Sequence, residues 1–318
     1  VEQFTINKQQ LTLKANGSFS HEIYIDREGT KFEIVAVDSS GNKVTKSFKV
    51  QRPKSEELDV KNFADLRPSL KSQANAKRIG LIIGINDYEE TSSANFADND
   101  AKVFYDYANI TLGIPENNIN ELLNNNSRLK DILKASSKWL RTKIVPGETE
   151  VFVFFAGHGL ASDDGSDAYL LPYDGDPELL SDTALKRSRL YDEISSLSPK
   201  SVTVFLDTCY SGESRSEEFL VASRPIRLEV RDKSIPENFT VLSAAGNDQT
   251  SGPLDEAEHG LFSYWLMKGL EGDADADGNR EITTGELHAF VRSHVDRLSG
   301  GSQSPQMSGD KNKVLVRW

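Results

Sequence analysis

The stretch V-T-V-F-L-D-T-C-Y-S-G, residues 202–212, holds the only cysteine of this 318-residue chain at the end of an apolar run. A second run of the same kind, V-F-V-F-F-A-G-H-G at 151–159, leads to His158. Short apolar runs without polar alternation are typical of strands buried on both faces of a parallel sheet. Reactive groups gather outside the carboxyl ends of such strands. We therefore expect Cys209 and His158 to emerge at the same edge of one sheet, as a nucleophile and its base.

The neighbours of both residues favour a catalytic interpretation over a structural one. A lone cysteine is usually a buried core residue, but Cys209 is followed by a polar turn at 210–212. Glycines on both sides of His158 allow close approach of the backbone. A nearby imidazole makes the thiolate accessible, and the amides of Gly159 and Cys209 are natural donors to a developing oxyanion. This chemistry requires no cofactor.

From Arg78 onward the pattern alternates between strands and helices, which predicts a parallel-rich sheet with helices on both faces. The predicted strands are 79–85, 151–156, 168–171, 202–208 and 240–245, with 314–318 as an edge strand. The predicted helices are 98–110, 128–142, 261–270 and 286–298. Ser127 is the candidate cap of the second helix.

Residues 1–50 have a different, all-β pattern. Five short strand-like pieces lie at 4–6, 11–13, 21–25, 32–37 and 44–50, and three of the four separations between them contain a glycine turn. This spacing predicts a small β-sandwich or part of one. The segment resembles the end of the immunoglobulin-like modules of bacterial surface proteins. Because 50 residues are few for a complete sandwich, we expect further strands upstream. That resemblance favours an exported or cell-surface location over a cytoplasmic one. Residues 51–77 are polar and charged, and we interpret them as a linker.

The chain is acidic, with 37 basic and 49 acidic residues and a net charge of −12. Such a balance argues against nucleic acid and anionic membranes as partners, although it also simply keeps a chain soluble. No apolar stretch approaches the ~20 residues of a membrane span.

Six short motifs, in order, resemble the caspase-like cysteine peptidases. They are G-I-N-D-Y (84–88), A-D-N-D-A (97–101), A-G-H-G (156–159), L-P-Y-D (171–174), D-T-C-Y-S-G (207–212) and S-A-A-G-N-D-Q-T-S (243–251). Within that clan the chain is most similar to the metacaspases and to their bacterial relatives, the orthocaspases. The resemblance covers residues 78–318 and implies a cysteine endopeptidase with the caspase-haemoglobinase fold, a three-layer αβα sandwich. Tyr210 and Ala156 depart from the usual His and Ser of metacaspases, which bears on subfamily more than on activity.

The resemblance also implies a substrate class. Caspases recognise Asp, whereas metacaspase-like enzymes resemble trypsin in accepting Arg or Lys. Asp207 lies two positions before the nucleophile, on the same face of its strand, and Asp100 matches a second acidic pocket residue of the family. Asp248 is a further candidate. Because a buried carboxylate pairs well with a guanidinium, we expect cleavage of proteins or peptides after Arg or Lys. The alternative for Asp207 is a structural hydrogen bond to a loop.

The segment 213–238 is rich in basic residues, namely Arg215, Arg224, Arg227, Arg231 and Lys233. In relatives the corresponding connection can be cut by the enzyme itself, so self-processing is one interpretation and a solvated loop is the other. A rival function for the whole chain is a catalytically silent caspase-like scaffold that acts as a protein-binding or adhesion module. The presence of Cys209, His158 and the acidic pocket candidates argues against this rival.

A candidate calcium loop, D-A-D-G-N-R-E-I-T-T-G-E, spans residues 275–286 between two predicted helices. Its oxygen ligands fall at the spacing of an EF-hand loop. They are Asp275, Asp277, Asn279, the carbonyl of Glu281, Thr283 and Glu286. The defect is Arg280 at the sixth position, where glycine normally makes the turn. Calcium with a structural or activating role and an acidic surface turn both remain open.

Overall fold

The computed structural model describes residues 3–6, 9–10, 30–38, 40–50, 63–162, 164–208, 235–246, 249 and 251–318. The chain divides into two compact units, residues 1–60 and 61–318. Among the described residues, no helix combines the length and the hydrophobicity that crossing a membrane requires.

The described residues of the first unit form a small sheet of four antiparallel strands, which confirms the predicted all-β character. In sheet order the strands are β2 (Gln9–Gln10), β1 (Gln3–Ile6), β3 (Thr30–Val37) and β4 (Lys43–Val50). Ile6 and Phe32 are buried, and Phe32 stacks on Phe48 with ring centroids 5.4 Å apart. The predicted strands at 11–13 and 21–25 lie outside the described residues, so the immunoglobulin-like resemblance stays a prediction.

The second unit is built on a six-stranded sheet in which five strands are parallel and one edge strand is antiparallel. From edge to edge the strands are β16 (Gln306–Ser308), β12 (Phe239–Ser243), β11 (Ser201–Asp207), β7 (Glu150–Ala156), β5 (Arg78–Gly84) and β6 (Ile119–Leu123). The mostly parallel sheet that the sequence predicts is therefore confirmed. Its central strands are buried on both faces, as their unalternating apolar sequences require.

Alternate side chains of the central strands contribute to two separate cores. Phe152 and Phe154 of β7 belong to one core, whereas Val153 and Phe155 belong to the other. This alternation follows from the two-residue period of a strand. Each core is covered by its own helices, so the unit is the expected three-layer αβα sandwich.

The helices fall into two layers. The first layer contains α1 (Ala97–Asp106), α6 (Leu261–Lys268) and α7 (Thr284–Leu298), and the second contains α2 (Leu129–Lys134), α3 (Leu140–Lys143) and α5 (Arg187–Ser195). A further short helix, α4, spans Leu180–Thr183. π-Helical turns extend α1 over 107–111 and α6 over 269–273, and one at 135–139 joins α2 to α3. The four predicted helices are thus present, and α4 and α5 are additional.

The start of α2 corrects the predicted cap. Ser127 does not cap this helix, and its buried hydroxyl has no hydrogen-bond partner among the described residues. Instead, the Leu129 N–H donates to Asp174 Oδ1 at 2.8 Å. A carboxylate from a distant segment therefore supplies the acceptor that one of the first helical amides needs.

The described part of the unit also forms three small antiparallel sheets. They are β8 (Gly159–Ala161) with β9 (Ala168–Leu170) and β10 (Leu185–Lys186), β13 (Pro253–Leu254) with β14 (His259–Gly260), and β15 (Glu281–Thr283) with β17 (Val314–Arg317). The predicted strand at 314–318 thus pairs with β15, and β16 takes the edge of the large sheet.

Residues 63–77, the described part of the predicted linker, contain no helix or strand and belong to the second unit. Phe63, Leu66 and Leu70 pack against the core beneath α1 and α6. The Leu70 carbonyl accepts a hydrogen bond from the Thr111 hydroxyl at 3.0 Å. The second unit therefore includes residues that precede Arg78.

Candidate active site

Strands β7 and β11 are parallel neighbours, with Asp207 directly opposite Ala156. The Gly157 N–H extends this pairing by donating to the carbonyl oxygen of Asp207 at 3.2 Å. His158 and position 209 each follow the last pair of the ladder by two residues, so both chains leave the sheet at the same edge. Cys209 itself lies outside the described residues, and its contact with His158 stays a prediction.

His158 is 3% exposed and is held by contacts on its backbone and on its ring. Its backbone N–H donates to the Tyr88 hydroxyl at 2.7 Å, and the two ring centroids are 4.8 Å apart. Its Nε2 lies 2.9 Å from the carbonyl oxygen of Ser92. Because a carbonyl oxygen only accepts, Nε2 carries a proton. In the neutral ring Nδ1 then has the lone pair that a general base needs.

The two glycines beside His158 have different surroundings. Gly157 has a φ of +153°, and a Cβ at this position would lie 2.6 Å from the Tyr88 hydroxyl oxygen. No other residue type fits this close approach without displacing Tyr88. Gly159 is buried and begins β8, opposite Leu170. Its role as an oxyanion donor stays a prediction.

Asp207 is fully buried, and both its carboxylate oxygens accept hydrogen bonds. Oδ1 accepts from the Ser251 hydroxyl at 2.7 Å, whereas Oδ2 accepts from the Ser263 hydroxyl at 2.5 Å and from its N–H at 3.2 Å. The carboxylate therefore joins β11 to a loop and to α6. The hydrogen bond from Ser251 is the structural contact with a loop that was the alternative for Asp207. For a role in the pocket, the same carboxylate would also have to accept hydrogen bonds from the substrate.

Asp100 of α1 is also fully buried, and its partners lie beside those of Asp207. Its Oδ1 is 2.8 Å from His259 Nδ1, and the Gly260 N–H is 3.1 Å from each of its oxygens. Gly260 and Ser263 belong to the cap and first turn of α6. The structure thus brings two of the predicted acidic residues to one helix end. The third, Asp248, lies outside the described residues.

The sequence indicated no role for His259, which the structure pairs with Asp100. The two residues are 159 positions apart, and no local pattern links them. His288 and His294, also unassigned, contact backbone carbonyls of Pro305 and Phe290, and burial lowers the pKa of both imidazoles.

Gln303 is a second residue that the sequence did not indicate. It is 1% exposed, and its Nε2 donates to the Ala244 carbonyl at 3.0 Å and to the Ser251 hydroxyl at 3.3 Å. Its Oε1 accepts from the Gly252 N–H at 2.9 Å. Gln303 thus fixes the loop whose serine donates to Asp207.

The candidate calcium loop brings three carboxylates together, because ligand oxygens of Asp275, Asp277 and Glu286 lie within 4.8 Å of one another. Arg280 has a φ of +65°, so it adopts the left-handed conformation that glycine usually supplies at this position. Glu286 Oε2 accepts from the N–H and the hydroxyl of Thr283, which caps α7.

The other predicted ligands of this loop also have partners. The Glu281 N–H donates to Asn279 Oδ1 at 2.7 Å, and the Glu281 carboxylate pairs with Arg317 at 2.6 Å. The backbone therefore makes the predicted turn despite the arginine. Metal binding stays a prediction.

Comparison with known proteins identifies the second unit. A family model described as the caspase domain of peptidase C14 matches residues 77–316. The structure resembles that of protein GSU0716 from Geobacter sulfurreducens, with a TM-score of 0.53 and 16% identity over 76% of this chain and 97% of that one. It also resembles caspase-1 from Spodoptera frugiperda, with a TM-score of 0.51 and 15% identity over 80% and 96% of the two chains. At these identities both likenesses show the fold alone. No curated protein matches the chain in sequence.

The family match spans more than half of the chain, and it includes the large sheet, both helix layers and the strand ends that lead to positions 158 and 209. The fold is that of caspases, as the motifs predicted. The chain therefore belongs to the peptidase C14 family of caspase-domain proteins.

Proposed function

We propose that this chain is a cysteine endopeptidase in which Cys209 is the nucleophile and His158 is the general base. The observation that supports this most strongly is the parallel pairing of β7 with β11, with Asp207 opposite Ala156. His158 comes two positions after Ala156 in the sequence, and Cys209 comes two positions after Asp207. The contact between Nε2 of His158 and the Ser92 carbonyl adds support, because it directs the basic nitrogen of the neutral ring to Nδ1.

In this proposal His158 Nδ1 takes the proton from the Cys209 thiol, and the thiolate attacks the carbonyl carbon of the scissile peptide. The developing oxyanion accepts hydrogen bonds from the amides of Gly159 and Cys209. The protonated imidazole then gives its proton to the departing amine, which leaves an acyl-enzyme. A water molecule, deprotonated by the same imidazole, hydrolyses the thioester and regenerates the thiol.

We further propose that the substrate has Arg or Lys before the cleaved bond. Asp207 and Asp100 are both fully buried and lie at the same end of α6. A cation that enters a buried acidic pocket forms charge-assisted hydrogen bonds, which are stronger than those between neutral groups. An acidic substrate side chain would instead be repelled by these carboxylates.

The segment 213–238, which contains four arginines and one lysine, is a candidate substrate of the same enzyme. Its arginines and lysine match the proposed specificity, and it begins four residues after Cys209. We propose that the chain cuts itself there. In Cys209→Ala the segment should remain intact under conditions in which the wild type is cleaved, and equal cleavage of both proteins would assign the cut to a contaminating protease.

We also propose that Ca²⁺ binds the loop 275–286 through the carboxylates of Asp275, Asp277 and Glu286. Support comes from the convergence of their oxygens and from the left-handed conformation of Arg280. Carboxylate oxygens at this spacing are the ligands that Ca²⁺ prefers. The proposed metal is separate from the Cys–His chemistry.

The test of the peptidase function is hydrolysis of fluorogenic peptides that end in Arg, Lys or Asp, with calcium and after chelation. We expect turnover of the Arg and Lys reporters and none of the Asp reporter. Cys209→Ala should fold normally and lose all turnover. Equal or faster cleavage of the Asp reporter would refute the specificity. Failure of a thiol-reactive Arg probe to label Cys209 would favour the rival binding scaffold.

A further inference from the structure

One short segment, residues 251–263, donates hydrogen bonds to both buried carboxylates of the proposed pocket, Asp100 and Asp207. Ser251 and Ser263, at its two ends, donate to Asp207. Between them, β14 supplies the partners of Asp100. Two carboxylates on different elements, α1 and β11, are thus oriented by one hairpin and the helix that follows it.

His259 is the side chain of this segment that faces Asp100. It is 6% exposed, and its Nδ1 lies 2.8 Å from Asp100 Oδ1. Because an ionised carboxylate only accepts, Nδ1 carries the proton. The next residue, Gly260, donates its backbone N–H to the same carboxylate. The imidazole and the amide together fix the direction in which Asp100 points.

This arrangement addresses an electrostatic problem of the pocket. Asp100 and Asp207 are both fully buried, and burial disfavours the charged form of a carboxyl group. Hydrogen bonds to the charged form and the N-terminus of α6 oppose that effect. The imidazole N–H is a side-chain donor to Asp100, so its loss would disfavour the charged carboxylate that attracts a guanidinium.

We infer that His259 is a positioning residue of the acidic pocket: it keeps Asp100 charged and oriented at the N-terminal end of α6, where Asp207 also accepts hydrogen bonds, and thereby sets the affinity for an arginine side chain. The inference rests on the proposed function for the identity of the ligand. It assigns His259 no contact with the scissile bond. Its removal should therefore weaken the binding of basic groups and leave the reactivity of Cys209 unchanged.

The experiment measures the binding of agmatine, an arginine side chain without a carboxyl group, to the full chain by calorimetry. His259→Phe keeps a ring and removes the Nδ1 donor, whereas His259→Asn returns a side-chain N–H at a similar distance from the backbone. We expect the agmatine Kd to rise about tenfold in the Phe variant and to stay within about threefold of the wild-type value in the Asn variant.

Two control measurements separate positioning from general damage. The rate at which iodoacetamide alkylates Cys209 should be the same in all three proteins, because this small neutral reagent does not need the pocket. Hydrolysis of a citrulline-ended peptide, the neutral analogue of an arginine-ended one, should also be unchanged. For the arginine-ended peptide, KM should rise in the Phe variant while kcat stays constant.

Unchanged agmatine affinity in His259→Phe would overturn the inference, as would the absence of agmatine binding to the wild type. An equal loss of agmatine binding, alkylation rate and citrulline-peptide turnover would overturn it in favour of a purely structural role. If His259→Phe does not fold, His259→Leu takes its place, because it also removes the Nδ1 donor, with the same expected loss of affinity and the same contrary result. A wild type that binds agmatine but hydrolyses no arginine peptide would refute the peptidase function alone.

Discussion

The hydroxyl oxygen of Tyr88 accepts the backbone N–H of His158 at 2.7 Å, and the same two residues bring their ring centroids within 4.8 Å. One side chain from the loop after β5 therefore supports both the backbone and the imidazole of the proposed base. Gly157 allows this contact, because a Cβ there would lie 2.6 Å from the hydroxyl oxygen. The position of His158 thus depends on a tyrosine and a glycine that take no part in the chemistry.

Tyr88→Phe should lower both activity and stability. Loss of the hydroxyl leaves a buried N–H without this acceptor, which costs about 1–2 kcal/mol in the free energy of unfolding. We expect kcat for an Arg reporter to fall about tenfold, as is typical when a catalytic group loses its support. The control is Tyr169→Phe, at a half-buried tyrosine on β9. A Tyr88→Phe variant with wild-type kcat would contradict the supporting role.

Asp207→Asn should raise KM for Arg and Lys reporters and destabilise the protein. The amide nitrogen cannot accept, so it leaves either Ser251 or Ser263 without its acceptor. We expect at least a tenfold rise in KM, as for the loss of one charged hydrogen bond. The matched control is Ser251→Ala, which removes one donor and retains the negative charge. If both variants raise KM equally, the charge of Asp207 does not recognise the substrate.

Lys313 should make stability depend on pH in the alkaline range. Burial lowers the pKa of its ammonium from 10.5 to about 8. Between these two values the unfolded chain binds more protons than the folded one, so the free energy of unfolding rises as the pH increases. Below about pH 8 both states are protonated, and the folded state bears the full penalty of at most about 3 kcal/mol.

The test of this effect is a set of urea titrations at several values of pH between 7 and 10.5. Lys313 donates to the buried Thr203 hydroxyl at 2.6 Å and lies over the Phe152 ring at 5.3 Å. The double variant Lys313→Met, Thr203→Val removes the amine and its partner together. We expect its stability to rise less steeply with pH than that of the wild type. Parallel pH profiles for the two proteins would show that Lys313 titrates normally in the folded state.

Calcium should stabilise the wild type and fail to stabilise Asp277→Asn, because Asp277 is one of three carboxylates whose oxygens converge. A ligand at about 100 times its Kd stabilises the folded state by about 2.7 kcal/mol. The measurement is the thermal midpoint with calcium and with a chelator. The control is Asp192→Asn, an exposed aspartate on α5, which should respond as the wild type does. An identical midpoint with calcium and with chelator in the wild type would eliminate the site.

The sequence predicted the fold where its local patterns are strong. Residues 151–156 are all apolar, so a strand formed by them must be buried on both faces. β7 is such a strand. By contrast, β6 has the sequence I-N-E-L-L and lies half-buried at the sheet edge. The polar residues Asn120 and Glu121 interrupt the apolar run by which a buried strand is recognised. Similarly, α5 has arginines, a tyrosine and acidic residues in one short stretch, which weakens the helical pattern.

The candidate site could be predicted only in part, because its supporting contacts are long-range. The motifs indicate Asp207 and Asp100 as pocket candidates, but the hydrogen-bond partners of both residues depend on how separate elements pack. The pair of Asp100 with His259 crosses from α1 to β14, and Gln303 reaches Ser251 from another loop. No periodicity connects such residues. Glycine is the usual residue at the position of Arg280 in a calcium loop. Arginine nevertheless adopts the left-handed conformation there, where its backbone N–H donates to Asp275.

The most direct test of the account is the pH dependence of the alkylation of Cys209 by iodoacetamide, in the wild type and in His158→Ala. The chain contains one cysteine, so the reaction reports on a single thiol. If His158 is its base, the alkylation midpoint of the wild type should lie well below about 8.5, the pKa of a free thiol, and should return towards that value in the variant. The same midpoint in both proteins would contradict the proposed Cys–His pair.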